Sequence, residues 1–288
     1  METSLHSREI RKDNPTLRRV LRVIIWILLI LMAAFTLVPF AWMISSSLKL
    51  DREVFAFPMR WIPETFHWEN YSLIWERVPL VTYFKNTAFI AIVVTILQTL
   101  TSSFAAYAFA KLEFKGRDTL FLCYIATIAV PWQAYMLPQF IMMRSMGLYD
   151  TLWAMVVLQT FSAFGVFLMR QFYRGIPTEL CEAARIDGLS EYGIWARIML
   201  PLSKAAIATL VIFTFVGTWN DYMGPMIYLT RDVNKTVQVG LRRFIQENSS
   251  DYHLIMAVSL CSLLPVSIVF LSLQKYFIEG IATSGLKG

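Results

Sequence analysis

A chain of 288 residues that is 57% hydrophobic, 15% aromatic and only 16% charged, with a mean hydropathy of +0.53, lies outside the composition of soluble domains. Its net charge of +6 does not imply nucleic acid: no basic run is interleaved with aromatics in a polar domain, and membrane proteins collect Lys and Arg on their inner side for topological reasons. Cys123, Cys181 and Cys261 are odd in number and offer neither a disulfide framework nor metal-ligand spacing.

In chain order, residues 1–22 carry Arg8, Arg11, Lys12, Arg18, Arg19 and Arg22 and read as a cytoplasmic tail. The uncharged run 23–43 is too long for the apolar core of a signal peptide and reads as a retained transmembrane helix, although Ser45 and Ser47 mimic a cleavage site. Residues 44–85 form an extracytoplasmic loop rich in Trp and Pro. Either it caps or docks a partner, or Trp61, Trp68 and Trp75 form a belt at membrane level. A second helix over 86–110 is uncharged between Lys85 and Lys111, and the tight basic connection 111–118 returns to the inner side. A third spans 119–140, where Pro131 and Pro138 remove backbone donors and predict a bend or a broken outer end. A fourth covers 151–168, a fifth 205–229 with Asp221 inside it, and a sixth 254–273, leaving 274–288 as a cytoplasmic tail. This pattern predicts an all-α membrane protein with six transmembrane helices, five of them in a core over 86–273, and both termini cytoplasmic. Asn-x-Ser/Thr patterns at Asn70, Asn234 and Asn248 are too short to assign a function.

The inner connection 170–204 is far longer than a turn requires. Pro177 opens a helix of about three turns that Gly188 ends, Ser190 is placed to cap a second helix over 191–200, and Pro201 is expected to stop that one. Leu180, Ala183, Ala184 and Asp187 fall on one face at helical spacing, shallow enough for close approach, with Glu182 and Arg185 beside it.

Glu182-Ala183-Ala184, Gly188 after three intervening residues, and Ile198-Met199-Leu200-Pro201 after nine more match the EAA signature of permease subunits of binding-protein-dependent ABC importers. The resemblance implies the type I ABC importer permease fold. It also implies a coupling helix that sits in a cleft of a cytoplasmic ATPase, with Glu182 pairing to a polar or basic group there, the alanines packing in the cleft and Gly188 making the turn. Trp61-Ile62-Pro63, Asn70-Tyr71, Pro131-Trp132-Gln133, Pro138, 147–151, Trp219-Asn220-Asp221 and 280–288 are similar to the carbohydrate branch, specifically the smaller permease of the maltose system. Cys181, Leu189 and Ala205 depart from the family pattern, the first two where an ATPase partner would fit. The partners so implied are a second related permease subunit, two ATPase subunits that bind ATP and Mg, an extracellular or lipid-anchored sugar-binding protein, and membrane lipid. The location is the bacterial cell membrane.

The chain has no Gly-x-x-x-x-Gly-Lys-Ser/Thr loop, so the energy source is expected in a partner and no cofactor is expected here. His6, His67 and His253 are scattered, and no nucleophile–base set or paired carboxylates share a membrane depth, which argues against an enzyme. Polar side chains in a bilayer tend to face the bundle interior or a water-filled path. Trp219, Asn220, Asp221, Tyr222, Gln98, Gln133, Gln139 and Gln159 are therefore candidates for a translocation pathway, with helix packing as the competing role. An ion-coupled secondary transporter would need several carboxylates at midplane, where only Asp221 comes near, and an ABC permease for amino acids, phosphate or polyamines is opposed by the branch resemblance alone.

Overall fold

The computed structural model describes residues 15–245 and 251–285; the readings for Arg8, Arg11, Lys12, Asn248 and the last three residues lie outside it. Every regular element in it is helical. Helix α1 spans Pro15–Ser47 and begins well before its apolar run. Two short helices, α2 (Asp51–Val54) and α3 (Asn70–Arg77), structure the loop that follows. Asn70, only 2% exposed, donates from Nδ2 to the carbonyls of Ser47 and Lys49 at 2.9 Å each, closing the end of α1. Beside it, buried Lys49 donates to the Arg60 carbonyl at 2.5 Å and stands 4.1 Å over the Trp42 ring, against which Trp61 packs edge-on. The loop is thus an ordered cap on the end of α1, with Trp61 and Trp68 still largely exposed.

Helix α4, Leu80–Lys111, contains neither Pro nor Gly and runs unbroken through 32 residues. The next three of the four expected spans after it are broken. The third divides into α5 (Arg117–Ala126, extended by a 3-10 turn at Thr127–Ala129) and α6 (Trp132–Ser145), bent by 99°. Pro131 stands at the break, where it has no N–H to continue the ladder, and Pro138 lies inside α6. The fourth divides into α7 (Leu152–Gln159) and α8 (Ala163–Arg174), bent by 42°, because the Ser162 hydroxyl caps α8 by accepting from the Gly165 N–H at 3.1 Å.

Next come α9 (Glu179–Ile186) and α10 (Glu191–Leu202). Pro201 does not stop α10: the helix widens into a π turn over Trp195–Met199, with the Leu200 N–H on the Trp195 carbonyl, and ends at Ser203. The expected fifth span divides into α11 (Lys204–Trp219) and α12 (Met223–Tyr228), because Asp221 Oδ1 accepts from the Gly224 N–H at 3.1 Å and starts a new helix. Helix α13 (Val237–Leu241) and the long α14 (Tyr252–Gly285) complete the chain. Three helical stretches, Arg19–Ser47, Leu80–Lys111 and Tyr252–Ile278, are long and apolar enough to cross a membrane, and three bent pairs, α5–α6, α7–α8 and α10–α11 (bent by 82°), pass the same test together, so up to six spans are available.

Helix α4 is the centre of the bundle, touching α7, α8 and α11, while α14 packs on α11 and carries α1 on its other side. Small residues let α4 and α8 approach closely: a methyl group on Gly165 would meet the Ser102 hydroxyl at 2.4 Å. Arg170, 6% exposed, secures the same pair by donating to the Phe109 carbonyl at 3.1 Å and to Asp118 at 2.5 Å, with its guanidinium 3.8 Å over the Phe121 ring.

At the opposite end Asp150, in the left-handed region at φ 59°, ties the turn before α7 to the segment after α12. Its Oδ1 accepts from the backbone N–H of Thr230 at 2.8 Å and Arg231 at 3.1 Å, and its Oδ2 from Arg231 Nε at 2.5 Å. Burial alone would raise this carboxyl, but the bonds from Arg231, Asn234 and the two backbone amides outweigh it and bring its pKa down to about 2. A depressed carboxyl adds stability above its unfolded pKa and loses it as pH falls through the folded one, here about 2 kcal/mol lost between about pH 4 and pH 2. Asp150→Asn keeps the left-handed backbone. Its melting temperature in detergent should lie below that of the unaltered chain by a constant amount from pH 8 to 5, and the gap should narrow below pH 4.

Candidate functional site

The α9 loop is built from its turns inward. Gly188 has φ 82°, its N–H bonds the Arg185 carbonyl and the Leu189 N–H bonds the Ala184 carbonyl, both at 3.0 Å, which is a Schellman ending of α9. Ser190 then caps α10 by accepting from the Gly193 N–H at 3.3 Å. Arg185 bridges the turn to Glu191 at 2.7 and 3.3 Å, and the Tyr107 hydroxyl, from α4, donates to the same carboxylate. The Arg185 bonds hold the Glu191 carboxyl below its usual range and keep it charged.

The face expected to be shallow and open is divided. Ala184 (5% exposed) turns inward with Cys181 (0%) onto a core that includes Tyr107, Met169, Tyr173 and Ile194, and Ile198 packs against the same core. Leu180, Glu182, Ala183, Ile186 and Asp187 remain on the open side, with Ile186 87% exposed. The sequence reading missed Ile186, whose large apolar side chain at helical spacing from Glu182 and Ala183 was the available signal. Leu200 is half-buried and Pro201 exposed at the far end of α10. A short helix seated by its buried side and presenting one alanine, one isoleucine and two carboxylates outward can fill a partner's cleft.

The second feature lies in the middle of the bundle, where the breaks between α7 and α8 and between α11 and α12 meet. Gln159 donates from Nε2 to Asp221 Oδ2 at 2.8 Å and accepts at Oε1 from the Thr218 hydroxyl at 2.9 Å, and Gln98 on α4 donates to Thr214 Oγ1 at 2.9 Å. A cleft of about 240 Å³ and an adjoining, wide-open groove of about 400 Å³, the two cavities of this site, share Gln159 and Asp221. The smaller is walled by Trp132, Tyr135, Gln139 and Tyr228, and the larger by Gln98, Phe161, Ser162, Phe213, Thr214 and Thr218. Amides, hydroxyls and a carboxylate among aromatic rings suit a polyhydroxylated ligand, whose apolar faces stack on rings while its hydroxyls take the polar atoms.

Several sequence candidates sit elsewhere. Trp219 is 2% exposed and donates its indole N–H to Ser262, at 3.0 Å to the carbonyl and 3.1 Å to the hydroxyl, so it joins α11 to α14 and lines neither cavity. Asn220 accepts from Gln238 at 3.2 Å and Tyr222 from Arg242 at 3.0 Å, holding the segment around α13. Gln133 is exposed, and its neighbour Trp132 is the lining residue instead, bonded to Gln139 at 3.0 Å. Tyr135, Phe161 and Phe213 were legible only as membrane aromatics, and Trp132 only as part of the Pro131-Trp132-Gln133 resemblance, because their direction depends on breaks that hydropathy does not reveal. Among the described residues no group of His, Cys, Asp and Glu could hold a metal ion.

The family described as the inner membrane component of binding-protein-dependent transport systems matches residues 98–283. The arabinooligosaccharides transport system permease protein AraQ of Halalkalibacterium halodurans is 35% identical over 227 residues, covering 78% of this chain and 81% of that protein. The melibiose/raffinose/stachyose import permease protein MelC of Bacillus subtilis is 34% identical over 269 residues, covering 92% and 96%. The crystal structure of a bacterial ABC transporter involved in the import of the acidic polysaccharide alginate contains a chain that superposes with a TM-score of 0.79 at 25% identity, covering 96% of this chain and 100% of that one.

Nothing lies within 4 Å of a Cβ at Gly188, so a side chain there is opposed by backbone conformation alone, at roughly 1–2 kcal/mol. Gly188→Val should loosen the last turn of α9, and trypsin should cut the purified protein at Arg185 several-fold faster. Gly188→Asn, which tolerates the left-handed region, should be cut at nearly the original rate.

Proposed function

Because the chain belongs to the family of inner membrane components of binding-protein-dependent transport systems, we propose that it is the permease subunit of an ATP-driven importer that carries a sugar or oligosaccharide across the bacterial cytoplasmic membrane. The family assignment makes it a membrane transport component and not an enzyme. The cargo reading draws support from relatives named for arabino-oligosaccharides and for melibiose, raffinose and stachyose, and from the polar, ring-lined cavities at Asp221.

In this proposal the chain crosses the membrane six times, through α1, α4, α5–α6, α7–α8, α11–α12 and α14, with residues 1–22 and 274–288 in the cytoplasm and 44–85 outside. Residues 86–273 are the permease core, and the 170–204 loop faces the cytoplasm. The complex contains a second related permease, two ATPase subunits that bind ATP and Mg, and an extracellular or lipid-anchored sugar-binding protein. ATP hydrolysis belongs to the ATPase pair.

The observation that carries the reading is the seating of α9: Cys181 and Ala184 are buried while Glu182, Ala183, Ile186 and Asp187 stand outward on a helix closed by the Gly188 turn. An ATPase cleft that closes on this helix pushes the bundle it is seated in. The α7–α8 and α11–α12 breaks, which Gln159 and Asp221 bond together, interrupt the helical ladder beside the cavities and give the bundle a place to yield. Substrate released from the binding protein then passes along the wall formed by Gln98, Gln159, Thr214, Thr218 and Asp221, facing the second permease.

The test is uptake of radiolabelled raffinose and arabino-oligosaccharides by proteoliposomes holding the complex isolated with this chain, with ATP inside and the binding protein outside. ATP-dependent uptake of at least one glycan is expected. Glu182→Lys should reduce uptake by about 10-fold or more while the chain stays in the membrane, as expected for reversing one charge at a desolvated contact. Asp221→Asn should reduce uptake and leave ATPase assembly intact. Uptake that needs no ATP and follows an ion gradient would overturn the proposal.

A further inference from the structure

Helix α4 differs from the other candidate spans among the described residues. Helices α1 and α14 contain Pro39 and Pro265, and the remaining spans are bent pairs. Its 32 residues without Pro or Gly give a rod about 48 Å long.

At the α9 end, two buried side chains one turn apart hold both ends of α9. Lys111, 8% exposed, donates to the Ile176 carbonyl at 2.6 Å and to Thr178 Oγ1 at 3.4 Å, just before α9 begins. Tyr107, 2% exposed, donates to Glu191, which holds Arg185 in the last turn of α9. At the far end, Asn86 donates from Nδ2 to the carbonyls of Val233 at 2.8 Å and Lys235 at 2.9 Å, and the Thr87 hydroxyl accepts from the Val237 N–H at 3.0 Å. Gly240 lies so close to the buried Tyr83 ring that a methyl group would meet it at 2.4 Å. The segment so held, residues 233–241, in turn bonds Asn220 through Gln238.

We infer that α4 is the transmission rod of the importer, with Lys111 and Tyr107 as positioning residues that fix the α9 coupling helix to one end and Asn86 as the positioning residue that fixes the outer 233–237 segment to the other. The inference rests on the proposed coupling role of α9. A displacement of α9 has no slack to take up before it reaches the outer segment: the side-chain bonds at both ends are buried or partly buried, and the backbone between them is one uninterrupted ladder. Asn86 and Lys111, about 38 Å apart along the axis, therefore report one event from its two ends.

The test uses the purified complex in nanodiscs and reads ATPase activity with and without sugar-loaded binding protein, for Asn86→Leu, Lys111→Met and the double variant. Asn86→Leu should leave complex yield and unstimulated ATPase activity unchanged and lower the stimulation by the binding protein about 5-fold. Lys111→Met should lower stimulation to a similar degree, Lys111→Arg should restore most of it, and the double variant should be no worse than either single one. A loss of structure alone would move yield and unstimulated activity as well. Stimulation of the unaltered complex together with undiminished stimulation of both single variants, or a double variant whose losses multiply, would overturn the rod while leaving the importer reading in place. Absence of stimulation in the unaltered complex would overturn both.

Discussion

The contact on which the bundle depends is the close approach of α4 to α8, where Gly165 faces Ser102 with no room for a methyl group and Arg170 locks the pair to the Phe109 carbonyl. In lipid there is little hydrophobic force between helices, so packing at this distance and buried hydrogen bonds must hold them together. With α8 fixed, its continuation into the 170–204 loop is fixed as well, and α9 comes to rest under the last turns of α4 with Cys181 and Ala184 in a shared core. The outward face of α9 follows from what its inward face must bury.

The same economy of backbone bonds explains where the spans break. A helix interruption inside a membrane is tolerated only where it is sheltered by protein or lines a polar cavity. The α7–α8 and α11–α12 breaks meet around Gln159, Thr218 and Asp221: Gln159 bonds both of the others, Asp221 caps α12, and Gln159 and Asp221 line both cavities. The cost of an intramembrane carboxylate at Asp221 is thus met by an amide and a backbone N–H. Its free edge is left to the cavity. Continuous α4 thus stands beside interrupted neighbours, a stiff element packed against compliant ones.

Much of this was legible in the sequence. The apolar run placed the C-terminal end of α4 to within one residue and its start six residues late, Pro131 marked the break in the third span, and the Glu182 to Gly188 spacing located the loop helix and its turn. What was not legible is direction. Ala183 and Ala184 are adjacent and identical, and only the packing of Cys181 against Met199 and Tyr107 decides that Ala184 goes inward and Ala183 outward. Trp219 beside Asn220 and Asp221 reads as part of a binding motif until Ser262, far along the chain, takes its indole N–H. Hydropathy windows also average across Ser162 and Asp221, so two residues that cap new helices read as polar residues inside old ones. The family match and the likeness to the alginate importer chain agree with the fold that the apolar runs marked.

In the proposed importer the outward face of α9 is seated in an ATPase. Ile186, 87% exposed and bonded to nothing around it through its side chain, is the position to ask. A photoreactive benzoylphenylalanine placed there, activated in native membranes, should join this chain to an ATPase subunit in a single adduct identified by mass spectrometry. An adduct with lipid or with this chain alone, at a position where the transport activity is retained, would contradict the account.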